Sequence, residues 1–153
     1  MGITMRNARL SDAALLLEWR NSPSAREYSQ ISEPIRIEEH LVWLSERLAR
    51  IRVEPFYLFE LGHKSVGMSR LDFEIEAANR FVISILVDPE QHGKGIGTTI
   101  LNLTCQNFFK LHPNSTIIAK VHRDNSVSKK LFANASFELK DSEGNFLLLE
   151  KTD

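Results

Sequence analysis

The sequence predicts an α/β chain of the α+β kind, with a mixed, mostly antiparallel sheet of about seven strands flanked by helices. Three observations carry this. Phe81 to Cys105 reads as strand, glycine loop and helix. From Phe56 to Phe73 the period drops to two around a turn at Gly62 to Ser65, which marks an antiparallel hairpin. Phe137 to Glu150 repeats that pattern around Asp141 to Gly144 as a terminal hairpin.

Each element follows in order. Ile3 to Arg9 forms a first strand with Ile3, Met5 and Ala8 turned inward. Ser11 is placed to cap a helix over Asp12 to Arg20, whose Leu15, Leu16 and Trp19 face the core, and Pro23 stops the chain after it. Residues 22 to 35 read as a loop with room for one short helix. A second helix over Ile37 to Ala49 sets Ile37, Leu41, Leu44 and Leu48 on one face, with Arg36, His40, Trp43 and Arg47 on the neighbouring one.

After the hairpin, residues 74 to 80 turn into a central strand over Phe81 to Val87. Apolar side chains occupy both of its alternation sets, so burial on both faces is expected, with Ser84 the lone polar interruption. Asp88-Pro89-Glu90 ends it. Gly93, Gly95 and Gly97 then lead into a helix with Ile100, Leu101, Cys105, Phe108 and Phe109 on its stripe. Thr116 to Val121 is a short strand and Ser126 to Ala133 a short helix.

Composition bounds the function. The chain has 153 residues, 42% of them apolar, enough for a single domain over 1–153. A net charge of −1 gives no reason to expect nucleic acid, and no apolar run reaches membrane-spanning length. One cysteine forms no internal disulfide, in keeping with a cytoplasmic setting. No metal-ligand spacing stands out, and a monomer and a homodimer both remain open.

A strand, a glycine loop and a helix start make an anion site, because the glycines admit close backbone approach and the first helical N–H groups lack partners. A diphosphate is the natural occupant. Neither the P-loop order GxxxxGK nor the dinucleotide spacing GxGxxG is met, since the glycines run GxGxG. A bare turn is the plain alternative.

The longer phrase VDPEQHGKGIGTTIL resembles motif A of the GNAT superfamily of acyl-CoA N-acyltransferases, with His92 where the family usually has Gln or Arg. Asn125 to Phe137 resembles a second family motif, NxxSxxLYxxxGF, and the element order agrees over nearly the whole length. The resemblance implies a GNAT fold with splayed strands four and five, usually opened by a bulge, and acetyl-CoA (or CoA) as cofactor. It implies a diphosphate cradle from His92, Gly93, Lys94, Gly95, Ile96, Gly97 and Thr98. It assigns the pantetheine arm to the backbone of Ile85, Leu86 and Val87, and further cofactor contacts to Asn125, Ser128 and Phe132.

Two departures matter for the chemistry. The tyrosine that serves the family as general acid is Phe132 here, and the glutamate early on strand four is Val82. Candidates from the residues themselves are His40 as a base near neutral pH and Ser84 as an orienting hydroxyl. Their plain alternatives are a packing histidine and a small core serine. Asp72 and Glu74 read as solvated, and Cys105 as a buried, inert thiol.

For the acceptor, Glu18 to Asn21, Arg26 and Glu38 to Leu44 resemble N-acetyltransferases of nucleotide-linked amino sugars. Those of pseudaminic acid biosynthesis, which act on a UDP-linked 4-amino-dideoxy sugar, are the nearest likeness. That implies a small-molecule sugar nucleotide held by Trp19, Arg20, Asn21, Arg26, Tyr28 and Trp43, the arginines on its diphosphate and the rings stacking on it. The alternatives are a protein N-terminal acetyltransferase of the ribosomal-protein-alanine type and an acetyl-CoA-binding module without catalysis.

Overall fold

In the structure, a computed structural model, residues 2–30, 32–74 and 79–153 are described. The elements are β1 (Ile3–Asn7), α1 (Ala13–Arg20), α2 (Pro23–Glu27), α3 (Ile37–Leu48), β2 (Phe56–Leu61), β3 (Lys64–Phe73), β4 (Arg80–Val87), α4 (Ile96–Leu111), β5 (Thr116–His122), α5 (Ser126–Asn134), β6 (Glu138–Glu143) and β7 (Phe146–Thr152). They build one seven-stranded sheet in the order β1-β2-β3-β4-β5-β7-β6. Every pairing is antiparallel except β4 with β5. The turn expected over residues 74–80 falls largely outside the described residues.

Strand alternation sorts the side chains into two layers. Phe81 and Ile83 on β4, Ile117 and Val121 on β5, and Leu101 and Phe108 on α4 form the larger core, joined by Phe132 and Phe137. Gly67 lets α4 settle here, because a Cβ on it would collide with Ile100 Cδ1. Ser69 Oγ and Thr104 Oγ1, 2.7 Å apart, satisfy each other inside the same layer. On the opposite face Leu16 and Trp19 of α1 pack with Leu44 of α3 over Phe56, Leu58 and Met68. No helix among the described residues is long and apolar enough to cross a membrane.

Two local expectations change. Ser11 caps nothing, since a short 3-10 turn over Leu10–Asp12 precedes α1. Asp12 does the work, accepting from Arg9 N at 2.8 Å and from Arg6 Nη2 at 2.8 Å. Burial alone would raise the Asp12 carboxyl, but those Arg6 and backbone bonds outweigh it and hold the group below its ordinary value.

The inner face of α3 is also rotated from the expected one. It buries His40, Leu44 and Arg47, while Ile37 and Leu41 are each 40% exposed. The physical reason is Arg47. Its Nε donates to Asp72 Oδ1 at 2.6 Å, and its terminal nitrogens reach the carbonyls of Glu54, Pro55 and Leu71 at 2.6, 3.2 and 3.0 Å. A guanidinium so fully bonded can be turned inward, and the apolar stripe then gives way.

Candidate active site

The sheet opens at its centre. β4 pairs with β3 along its whole length, from Phe73↔Phe81 to Gly67↔Val87. With β5 it shares only Arg80↔Thr116, Phe81↔Ile117 and Val82↔Ile118, after which the strands part. The β4 edge from Ile83 to Val87 therefore has no strand on that side. No register shift falls within β4, so the parting is a divergence of strands and not the bulge expected. Burial follows the same geometry: Phe81 and Ile83 are buried, but Ser84 to Val87 are only half-buried because the open edge exposes them.

The glycine loop lies at the end of that edge. Gly93 and Gly95 have φ of 80° and 76°, the left-handed region, and a Cβ on either would meet nothing within 4 Å. Gly95 is the N-cap of the 16-residue α4, so the first N–H groups of that helix, over Ile96, Gly97 and Thr98, have no partner within the helix, and the space around Gly93 and Gly95 before them is open. These residues fit a diphosphate. Gly97 differs from its neighbours: its added Cβ would sit 3.6 Å from Val87 Cγ2 and 3.8 Å from Leu131 Cδ2, ordinary contacts. Leu131, which sequence reasoning passed over, thus forms the apolar floor of the loop.

Several expected cofactor contacts are engaged elsewhere. The His92 Nε2 hydrogen bonds to Val87 O at 3.2 Å, and Lys94 Nζ donates to Gln91 Oε1 at 3.3 Å, so both fold back onto the loop. Asn125 Oδ1 caps α5, accepting from Ser128 N at 3.1 Å. Phe132 is 7% exposed with its ring 5.0 Å from that of Phe137. Its apolar ring packs into the core and has no proton to donate.

On the opposite face the expected acceptor residues divide. Trp19 is 2% exposed inside the core, so it offers no ring to a ligand. The Asn21 Nδ2 donates to Ile35 O and its Oδ1 accepts from Ile35 N, both at 2.8 Å, which staples the 22–35 segment shut. The Arg26 Nε donates to Asn21 O at 2.9 Å and its Nη1 to Ser32 O at 3.4 Å. These three are structural. Arg20 is half-buried, donating to Ser29 Oγ at 3.1 Å. Tyr28 packs its ring 5.4 Å from that of His122, linking α2 to the end of β5. Trp43 is 38% exposed and stays available.

His40 does not fit a base at the surface. It is 4% exposed, its ring lies 5.7 Å from that of Trp43, and its Nε2 has no hydrogen-bond partner among the described residues. Burial lowers its pKa, partly opposed by a hydrogen bond to the Ala13 backbone, which favours the neutral ring. It packs α3 against the start of α1. Cys105 is inert as expected, its thiol pushed up to about 11 by burial. Asp72, expected to be solvated, is instead bound by Arg47 and Arg70.

A strand pair that parts over a glycine-capped helix is the arrangement the sequence motifs anticipate, and comparison with known proteins decides the matter. The model of the acetyltransferase (GNAT) domain matches residues 3–138. The chain belongs to the GNAT acetyltransferases. Enzymes of this family take their acetyl group from acetyl-CoA. The chain is 24% identical over 141 residues to Acetyltransferase PseH of Campylobacter jejuni, spanning 91% of this chain and 86% of that protein. Among solved structures it is similar to ribosomal-protein-alanine N-acetyltransferase from Brucella melitensis, with a TM-score of 0.81 and 20% identity over 98% of this chain and 99% of that one. It is also similar to paia N-acetyltransferase from Thermoplasma acidophilum in complex with coenzyme A, with a TM-score of 0.78 and 23% identity over 100% of both. As GNAT folds they share the architecture described above.

Proposed function

We propose that this acetyltransferase transfers the acetyl group of acetyl-CoA to the amino group of a nucleotide-linked amino sugar, by direct attack in a ternary complex. The observation that carries it is that the exposed Trp43 ring stands beside Arg70, which lies opposite Ser84 in the β3–β4 register, with the half-buried Arg20 at the end of α1 on the same face of the sheet. A ring for stacking and a guanidinium for phosphate are what a sugar nucleotide requires. The motif likeness at Glu18 to Asn21 and Glu38 to Leu44, and the similarity to PseH across 91% of the chain, support the same acceptor.

Bound acetyl-CoA supplies an activated thioester carbonyl. The chain's own part is to hold it: N–H groups of residues 93 to 98 on the diphosphate, and the unpaired edge of Ile85 to Val87 along the pantetheine arm. Phe132 has no proton to give and His40 is sealed from solvent, so protons leave and arrive through water, with the Ser84 hydroxyl as its anchor. Incubation with acetyl-CoA and a UDP-linked 4-amino-dideoxy sugar, beside peptides with free alanine or serine N-termini, tests this. Acetylated sugar nucleotide is the expected product; turnover on peptides alone overturns it.

One observation favours that second acceptor. Glu38, Glu39 and Glu46 surround Val42 and Trp43 in a shallow depression on the outer side of α3, an acidic setting for a cationic N-terminus. Tight acetyl-CoA binding with no turnover on either acceptor leaves the binding-module alternative.

A further inference from the structure

On the face of the sheet covered by α1 and α3, Arg47 and Arg70 share the carboxylate of Asp72, and of the two only Arg47 is fully spent. Arg47 is 1% exposed, its nitrogens committed to Asp72 and to three carbonyls. Arg70 differs. It stands opposite Ser84 in the β3–β4 register, 26% of its side chain reaches solvent, and its guanidinium carbon lies 5.1 Å from the centroid of the Trp43 ring. Among the described residues its hydrogen bond is to Asp72, through one terminal nitrogen. Arg20, at the end of α1, is half-buried and spends one nitrogen on Ser29.

Asp72 is shared by Arg47 and Arg70, and nearby Glu54 is matched by Arg50 at 2.5 Å. Arg70 and Arg20 thus keep guanidinium nitrogens unspent on a half-buried face beside the opened strand. Burial foremost, and then the charges of Arg47 and Arg20, depress the Arg70 pKa against the opposing pull of Asp72, so these groups sense one another. Guanidinium groups held near one another in a half-buried place offer an anion charge and donors together.

We propose that Arg70, with the Trp43 ring beside it, and Arg20 form the subsite for the diphosphate of the acceptor, in place of Arg26, two of whose nitrogens are turned to the carbonyls of Asn21 and Ser32. The inference deepens the sugar-nucleotide reading and rests on it. A diphosphate diester carries two negative charges and presents oxygens in pairs that a guanidinium fork matches.

The test is calorimetric titration of UDP into the CoA-loaded protein, using wild type, Arg70→Gln, Arg70→Lys and Arg26→Gln, with acetyl-CoA affinity as the control for folding. Arg70→Gln is expected to weaken UDP binding about ten- to a hundredfold, and Arg70→Lys less, because it keeps the charge but loses the fork. Arg26→Gln is expected to bind UDP as wild type does, and all variants to keep their acetyl-CoA affinity. Should Arg70→Gln lose acetyl-CoA binding, the lysine variant decides by the same criterion. UDP affinity unchanged in a folded Arg70 variant overturns the subsite while leaving the sugar-nucleotide acceptor intact. No UDP binding by wild type, together with turnover on peptide N-termini, removes that acceptor and the subsite with it. An Arg70 effect seen only with a free amino acid acceptor overturns the phosphate assignment.

Discussion

Arg47 on α3 donates to Asp72 on β3 across 25 residues of chain at 2.6 Å, and this pair fixes the helix layer to the sheet. Its loss would take a donor from the buried carbonyls of Glu54 and Leu71 and from part of the Asp72 carboxylate, while Pro55 O keeps Leu71 N at 2.9 Å. Arg47→Met is therefore expected to destabilise the fold by about 3 kcal/mol or more. Urea unfolding reads this directly. A loss below ~1 kcal/mol would mean that water replaces the guanidinium at little cost.

Gly95 and Gly97 are expected to behave differently although they are two residues apart. Valine at Gly95 must adopt a φ of 76°, which costs a non-glycine residue about 1–2 kcal/mol and distorts the helix start. Gly95→Val should raise the acetyl-CoA Kd by about tenfold or more, while Lys94→Ala, whose charge is turned toward Gln91, changes it little. Gly97→Ala should be tolerated, since its methyl would meet Val87 and Leu131 at ordinary contact. Titration of acetyl-CoA into the three variants compares them, and equal affinities for Gly95→Val and wild type would remove the diphosphate from this loop.

Phe132→Tyr places a hydroxyl in an apolar core beside Phe137. An unbonded buried hydroxyl costs about 1–3 kcal/mol, so the variant should melt earlier with no gain in kcat. A gain in turnover would show that a phenol at this position reaches the reacting sulfur.

His40 links stability to pH. Burial lowers its folded pKa below the unfolded value of about 6.5, so between the two the unfolded state binds more protons. Stability is then full above the unfolded pKa and declines as pH falls through it toward the folded pKa. Comparing urea unfolding at pH 8 and pH 5.5 in wild type and His40→Gln isolates this contribution from that of the carboxylates. The variant should show the shallower loss, and identical slopes would mean that the imidazole charges freely in the fold.

Much of the fold was legible because its signals are local. Period-two alternation marked β2, β3 and the β6–β7 hairpin, and the glycines marked the start of α4. The inner face of α3 was not legible, because Arg47 is turned inward by Asp72 and by carbonyls distant in sequence. The same limit explains the site. Glycine cradles announce themselves in a short phrase, and the open β4 edge followed from the family likeness. The acceptor face depends on register between strands: Arg70 meets Ser84 only through the β3–β4 pairing, and nothing in the local sequence singles it out. Asn21 and Arg26 look like polar ligand residues in sequence, yet both are consumed by a loop that folds back on them.

The three paired positions between β4 and β5 give the sheet a mechanical character. It consists of two plates, β1 to β4 and β5 to β6, joined along one short seam at Arg80, Phe81 and Val82 and underlain by α4. A pair of plates fastened at one end behaves as a clasp. An extended molecule laid against the free edge from Ile83 to Val87 would complete the ladder that the parted strands abandon, serving as a strand made of something other than protein. Its arrival would couple the two plates, so amide exchange should slow on both sides of the gap at once, along β4 and along β5 beyond Ile118.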